Sequence, residues 1–160
     1  MKLWLWIILA ILIYIYVSYY YKYPKDVSIL QSGSGTFKAH LLTEKQPIVI
    51  DDTIKDIQEI KKAWFRWNYT NIYQEFIPEQ WYKNKYKYLI IYPLEDTEVF
   101  LYSPSLPFKE NLPDPEETVV VIKLKAQQLL IIPFHWYHMY PSQKQTVFMG
   151  VHDLITPFLS

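Results

Sequence analysis

Residues 118–141 read TVVVIKLKAQQLLIIPFHWYHMYP, and this stretch decides how the rest of the chain is read. Thr118 to Lys125 is β-branched and then alternates. Ile122 and Leu124 fall on one face and Lys123 and Lys125 on the other, the two-residue period of a half-buried strand. Ala126 and Gln127 supply a turn. Leu129 to Ile132 is an apolar run too short for a helix and is stopped by Pro133, so it reads as a buried strand returning beside the first to form a hairpin. Phe134, His135, Trp136, Tyr137, His138 and Met139 follow, bringing two imidazoles and three aromatic rings together within six residues.

Working toward the amino terminus, Leu89–Tyr92 and Glu98–Tyr102 read as two more strands joined across residues 93–97 in a central hairpin, and Ile48–Ile50 as a short early strand. Between them, Ile54, Ile57, Ile60, Ala63, Trp64 and Trp67 form a helical stripe, so one principal helix is expected over residues 53–67. Asp51, Asp52 and Asp56 flank its start and are read as capping groups rather than a catalytic carboxylate pair. Residues 71–82 are aromatic without period, interrupted by Pro78, and are expected to form a loop or broken helix. Lys83, Lys85 and Lys87 alternate with Asn84, Tyr86 and Tyr88, as on an extended edge segment defended by lysines. Residues 103–115 are rich in proline and read as a long exposed loop. Thr146–Val151 reads as the last strand, ending at His152 and Asp153; adjacent strand residues face opposite ways, so that pair does not chelate one ion.

At the amino terminus, Leu3 to Tyr21 carries no charge and would make a helix of about 28 Å, near the hydrocarbon thickness of a bilayer. Tyr19, Tyr20, Tyr21 and Tyr23 beside Lys22 and Lys25 resemble an aromatic and cationic membrane collar. Tyr16-Val17-Ser18 is a poor cleavage site for the competing signal-peptide reading. The expected organisation is therefore a single-pass transmembrane anchor (1–23), a flexible linker (24–36) containing Gly33 and Gly35, and one folded domain (37–160). Orientation is undetermined, because Lys2 on one side balances Lys22 and Lys25 on the other.

Sixteen basic and sixteen acidic residues cancel, which removes the positive field that nucleic-acid binders rely on. The absence of cysteine excludes disulfides, a thiolate nucleophile and a cysteine zinc site. No nucleophile elbow, phosphate loop or His-Glu-x-x-His is present. Asn68-Tyr69-Thr70 is a weak glycosylation sequon, meaningful only on a lumenal face. One arginine, Arg66, among abundant Lys, Ile and Tyr is the composition an AT-rich genome encodes, a viral one among them.

The segment "leucine-rich, Ile-Pro, two residues, Trp-aromatic-His" ending at His138 resembles the last metal-ligand strand of the cupin-like JmjC oxygenases, the iron and 2-oxoglutarate enzymes that include asparaginyl hydroxylases. Gln46–Ile50 resembles the family's early strand and residues 88–104 its central hairpin. The resemblance implies a mainly β, cupin-like double-stranded β-helix, a small antiparallel barrel, with His138 at the position of an iron ligand. The remaining family ligands do not match: His-x-acid would fall at Tyr82 and Asn84, the 2-oxoglutarate lysine near Thr97 or Glu98, and no histidine lies between His40 and His135. Gln127 and Gln128 replace the glycine that opens the family's final hairpin.

The expectation is thus a membrane-anchored pseudoenzyme without cofactor, with His138 a vestigial metal position. Its cleft is placed at Trp81, Tyr82, Asn84, Thr97, Trp136, Tyr137 and His138, receiving a protein or small molecule. One alternative is an iron and 2-oxoglutarate hydroxylase using His138 with His135 or His152 and a carboxylate. Another is a structural viral membrane protein.

Overall fold

The computed structural model describes residues 2–74, 76–106, 108–109, 112–113, 118–142 and 144–159. The chain opens with helix α1 (Lys2–Tyr20), then strand β1 (Leu30–Ser32), a 3-10 turn (Ala39–Glu44), β2 (Ile48–Ile50) and helix α2 (Ile57–Trp64). Strands follow as β3 (Tyr69–Tyr73), β4 (Tyr82–Lys83), β5 (Tyr88–Pro93), β6 (Thr97–Tyr102), β7 (Phe108–Lys109) and β8 (Leu112–Pro113). Strands β9 (Val120–Leu124), β10 (Leu129–Pro133), β11 (Tyr137–Met139) and β12 (Thr146–His152) precede the short helix α3 (Thr156–Leu159).

The strands form a six-stranded sheet in the order β1-β2-β10-β5-β12-β3 and a four-stranded sheet in the order β4-β11-β6-β9. All pairings in these sheets are antiparallel except β1 with β2. From β3 onward the chain crosses repeatedly between the sheets, the winding of a double-sheet jelly roll. The expected hairpins are corrected by this winding. β9 pairs with β6 while β10 pairs with β2 and β5, and β5 and β6 likewise lie in opposite sheets. Burial explains the separation. Every residue of β10 is buried, so it occupies a sheet centre covered on both faces, whereas β9 alternates and is covered on one face. Gln127 makes the crossing possible by taking φ 67°, a left-handed conformation usually left to glycine, and its N–H donates to the Pro93 carbonyl at 2.8 Å.

Two apolar layers result. Val49, Leu89, Ile91, Ile132 and Phe148 of the large sheet meet Val99, Leu101, Ile122 and Leu124 of the small one, with Trp136 and Tyr140 filling one end. On the outer face of the large sheet, Ile48, Ile50, Ile90, Met149 and Val151 are covered by Ile54, Ile57, Ile60 and Phe65. Each fully buried aliphatic side chain of these layers contributes about 1.5–3 kcal/mol. Helix α2 begins at Ile57, four residues later than expected, because Asp56 is its cap and accepts from the Gln58 N–H at 2.8 Å. Asp52 instead accepts from the Ser34 N–H at 2.5 Å and its hydroxyl at 2.8 Å, tying the β1 loop to the domain. Residues 71–73, expected as part of a loop or broken helix, belong to edge strand β3. The proline-rich 103–115 stretch lies partly outside the described residues; within it β7 and β8 pair.

The expected transmembrane helix requires a larger correction. Among the described residues no helix is long and apolar enough to cross a membrane. The carboxyl-terminal turn of α1 is consumed by packing: Tyr20 is buried, its ring edge-on to Phe134 at 5.3 Å, and its hydroxyl donates to the Asp153 carboxylate. Tyr16 donates to the same carboxylate at 2.5 Å, and Tyr19 donates to the Thr43 carbonyl at 2.8 Å. Exposed apolar helix remains over residues 4–16, about 20 Å of rise against roughly 30 Å of hydrocarbon. The fold class is therefore mainly β, two facing sheets with few helices, in place of a closed barrel behind a membrane span.

Candidate functional site

The turn from β10 to β11 carries the aromatic and histidine residues of the sequence motif, and Asn84 holds it. The Asn84 side chain is almost fully buried and donates to the carbonyls of Ile132 at 3.0 Å and Pro133 at 2.8 Å, while accepting from the Tyr86 N–H at 2.9 Å. Its backbone N–H donates to the Trp136 carbonyl at 2.8 Å and its carbonyl accepts from the His135 N–H at 2.9 Å. This bracket stabilises His135 at φ 63°. The His135 ring stacks on Phe134 at 3.7 Å and faces Tyr21 at 5.6 Å. Burial, with Lys83 and Lys45 nearby, lowers the His135 imidazole to about 4.

β11 then sets His138 inward. Its register places His138 between Tyr82 of β4 and Leu101 of β6. Tyr137 and Met139, on the opposite face, are half-buried. His138 and Tyr140, two residues apart, share the inner face and are both buried. They form the floor of a cavity of about 420 Å³ lined also by Tyr73, Phe76, Ile77, Tyr82 and Phe148. Ile77 is exposed and Tyr73 and Tyr82 half-buried, so these residues make the rim. Tyr82 stacks on His138 at 5.7 Å, and its hydroxyl accepts from the Ile77 N–H at 2.9 Å. Tyr140 meets Phe76 at 4.4 Å and Phe148 at 5.2 Å.

Two polar atoms in this apolar setting have no partner: His138 Nδ1 and Tyr140 Oη are buried and unbonded. A buried polar group without a partner costs about 1–3 kcal/mol, so its retention is informative. Burial alone drives the His138 imidazole down to about 3, and burial raises the Tyr140 phenol well above its ordinary value. Both groups are therefore neutral across ordinary pH.

The residues expected to line a cleft separate into three groups. Tyr82 and His138 line the cavity. Asn84 and Trp136 instead build its frame: Trp136 is buried between the sheets and its Nε1 donates to the Lys45 carbonyl at 3.0 Å. Trp81, Thr97 and Tyr137 lie outside it. Trp81 and Tyr137 stand edge-on to Tyr102 at 6.5 and 6.4 Å. Thr97 is four residues, about 13 Å, along β6 from Leu101, in a charged surface groove with Lys123, Lys125 and Lys144. The Asn68 amide donates to the His152 carbonyl at 3.1 Å, so this side chain has a structural role. Tyr73, Phe76, Ile77, Tyr140 and Phe148 were missed. For Tyr140 a signal existed, since period-two alternation from His138 puts it on the same face.

An iron centre does not fit these residues. No described lining residue other than His138 is a histidine or carboxylate. His152 Nδ1 is unbonded, but that ring sits on β12 against Tyr86 at 4.7 Å and does not line the cavity. Asp153 is already engaged: burial pushes it up, but hydrogen bonds from Tyr16, Tyr20 and Thr156 prevail and hold it far below the usual carboxylate range, with Lys87 at 3.0 Å. Among the described residues no three His, Cys, Asp or Glu side chains converge on a point that could hold a metal. No family model and no curated protein matches the sequence.

Proposed function

We propose that this chain is a binding module which takes a small molecule in the aromatic cavity around His138, a pseudoenzyme relative of the cupin-like oxygenases that its 129–138 segment resembles. One observation carries the reading: His138 and Tyr140 stand with the aromatic rings of Tyr73, Phe76, Tyr82 and Phe148 around a cavity of about 420 Å³, within the size range of small-molecule sites. The non-catalytic half of the reading rests on donor chemistry, because tyrosine and phenylalanine surround His138 where an iron enzyme needs a second histidine and a carboxylate. A lipid surface is the proposed location. Its support is the exposed apolar run from Trp4 to Tyr16, which carries no charged side chain.

The test is a thermal-shift screen of the full-length protein against neutral and charged metabolite-sized compounds, repeated with Tyr82→Ala, which removes a ring from the rim of the cavity. Ligands that raise the unfolding temperature of the parent and lose that effect in the variant support the reading. In parallel, 2-oxoglutarate with iron and ascorbate is expected to yield no His138-dependent succinate; turnover abolished by His138→Ala would replace the binding module with an enzyme. Flotation with liposomes checks location, and a protein that stays at the bottom of the gradient as a self-associated species assigns the α1 surface to a second copy.

A further inference from the structure

Of the four strands that end the two main sheets, three are protected against pairing with another chain. β1 is three residues long, β4 has two residues of which one is Lys83, and β9 carries Lys123 with Lys125 just beyond it. β3 has no such protection. Its five residues, Tyr69, Thr70, Asn71, Ile72 and Tyr73, include no charge and no proline. Among the described residues β12 is its one strand neighbour, and its side chains are open to solvent: Tyr69 is 66% and Ile72 43% exposed, and Asn71 is exposed as well. An edge of this kind offers its outward backbone donors and acceptors to a further strand.

The strand is complementary to itself. When two copies of β3 run antiparallel about a two-fold axis at Asn71, in the register that overlaps all five residues, Tyr69 faces Tyr73, Thr70 faces Ile72 and Asn71 faces Asn71. Rings then meet on one side of the sheet and β-branched side chains on the other, and no like charges are opposed. We infer that β3 is a dimerisation edge, along which two copies of this chain join their six-stranded sheets into one of twelve strands. The joined sheet also reaches the cavity. Tyr73 lies opposite Phe148 in the register of β12 and stacks on it at 5.3 Å, on the face turned toward the small sheet. Directly opposed residues share a face, so Tyr69 of the second copy comes to stand beside Tyr73 at the cavity rim. The dimer does not depend on what the cavity binds.

The chain has no cysteine, so single-cysteine reporters carry no background. Asn71→Cys sits on the axis, where opposed Cα atoms are about 4.5–5.5 Å apart. Val121→Cys, exposed on the lysine-bearing β9, is the control. Both full-length variants are treated in mild detergent with a short bismaleimide, and covalent dimer is followed over time. Asn71→Cys is expected to cross-link at least about tenfold faster than the control, because pairing turns a collision into an intramolecular step at roughly millimolar effective concentration. Ile72→Lys added to Asn71→Cys is expected to bring the rate down to that of the control, as lysines do on other edges, and to leave the unfolding temperature unchanged because Ile72 is exposed. If that variant unfolds, the comparison of the first two rates decides by itself. Association through α1 would place both reporters in one micelle and raise their rates alike. Equal rates for Asn71→Cys and Val121→Cys, or a fast Asn71→Cys rate that a folded Ile72→Lys variant leaves unchanged, overturn the proposal.

Discussion

Replacing Asn84 by alanine separates a structural bracket from a ligand-binding residue. The side chain makes three hydrogen bonds in a buried setting, two donated to the Ile132 and Pro133 carbonyls and one accepted from the Tyr86 N–H. At about 1 kcal/mol net for each, their loss costs about 3 kcal/mol, rising toward about 5 kcal/mol where the abandoned backbone groups stay dry. For a chain of this size about 3 kcal/mol lowers the unfolding temperature by roughly 6–12 °C. Asn84→Asp is expected to be worse near neutral pH, since a carboxylate facing two carbonyl oxygens has nothing to donate. Its folded-state acidity would be raised. The folded variant then holds its proton longer than the unfolded chain, and its stability falls as pH climbs above about 3.9 through the folded value. Urea unfolding of the full-length protein, followed by the fluorescence of its six tryptophans, measures both variants. Asn84→Ala costing less than about 1 kcal/mol while abolishing ligand binding would refute the bracket and return Asn84 to the site.

Buried His138 should make the fold acid-sensitive. Its imidazole is held near 3, so between pH 6.5 and 4 the unfolded chain binds a proton that the folded chain does not, and stability falls as pH falls. From pH 7 to 5 the loss is about 2 kcal/mol, and His138→Phe should remove it while leaving a contribution of the same sign from His135; an unchanged urea-midpoint difference between the two pH values contradicts this. Gly150→Ala should cost about 1–3 kcal/mol in urea unfolding, because an added Cβ would stand 2.3 Å from the Tyr86 ring; a neutral result means that the half-buried ring swings aside freely. Asp153→Asn, which weakens the junction with Tyr16, Tyr20, Thr156 and Lys87, should cost about 1–3 kcal/mol and speed proteolysis within residues 20–26; unchanged cleavage argues against a junction.

Period and punctuation in the sequence were sufficient to locate most strands. The alternation of residues 120–124, the apolar run before Pro133 and the run from Leu89 to Tyr92 each became a strand close to where the pattern put it. Pattern did not reveal which strands pair. Ile122 and Leu124 of β9 and Leu130 and Ile132 of β10 look equally able to form a hairpin, and only the competition of both faces of β10 for cover sends it to the other sheet. The same limit applied at the site. His138 and Tyr82 were legible because motif and register coincide. Asn84 and Trp136 were assigned to the cleft although their side-chain N–H groups are spent on backbone carbonyls of residues 132, 133 and 45 and the Asn84 oxygen on the Tyr86 N–H. Phe76 and Phe148 were silent in the sequence, since 72 residues separate rings that lie 5.3 Å apart. Residues 3–21 show the difference most plainly: apolar composition is a property of the local chain, but how much of that helix remains free depends on the distant carboxylate of Asp153, which draws its tyrosines down onto the domain.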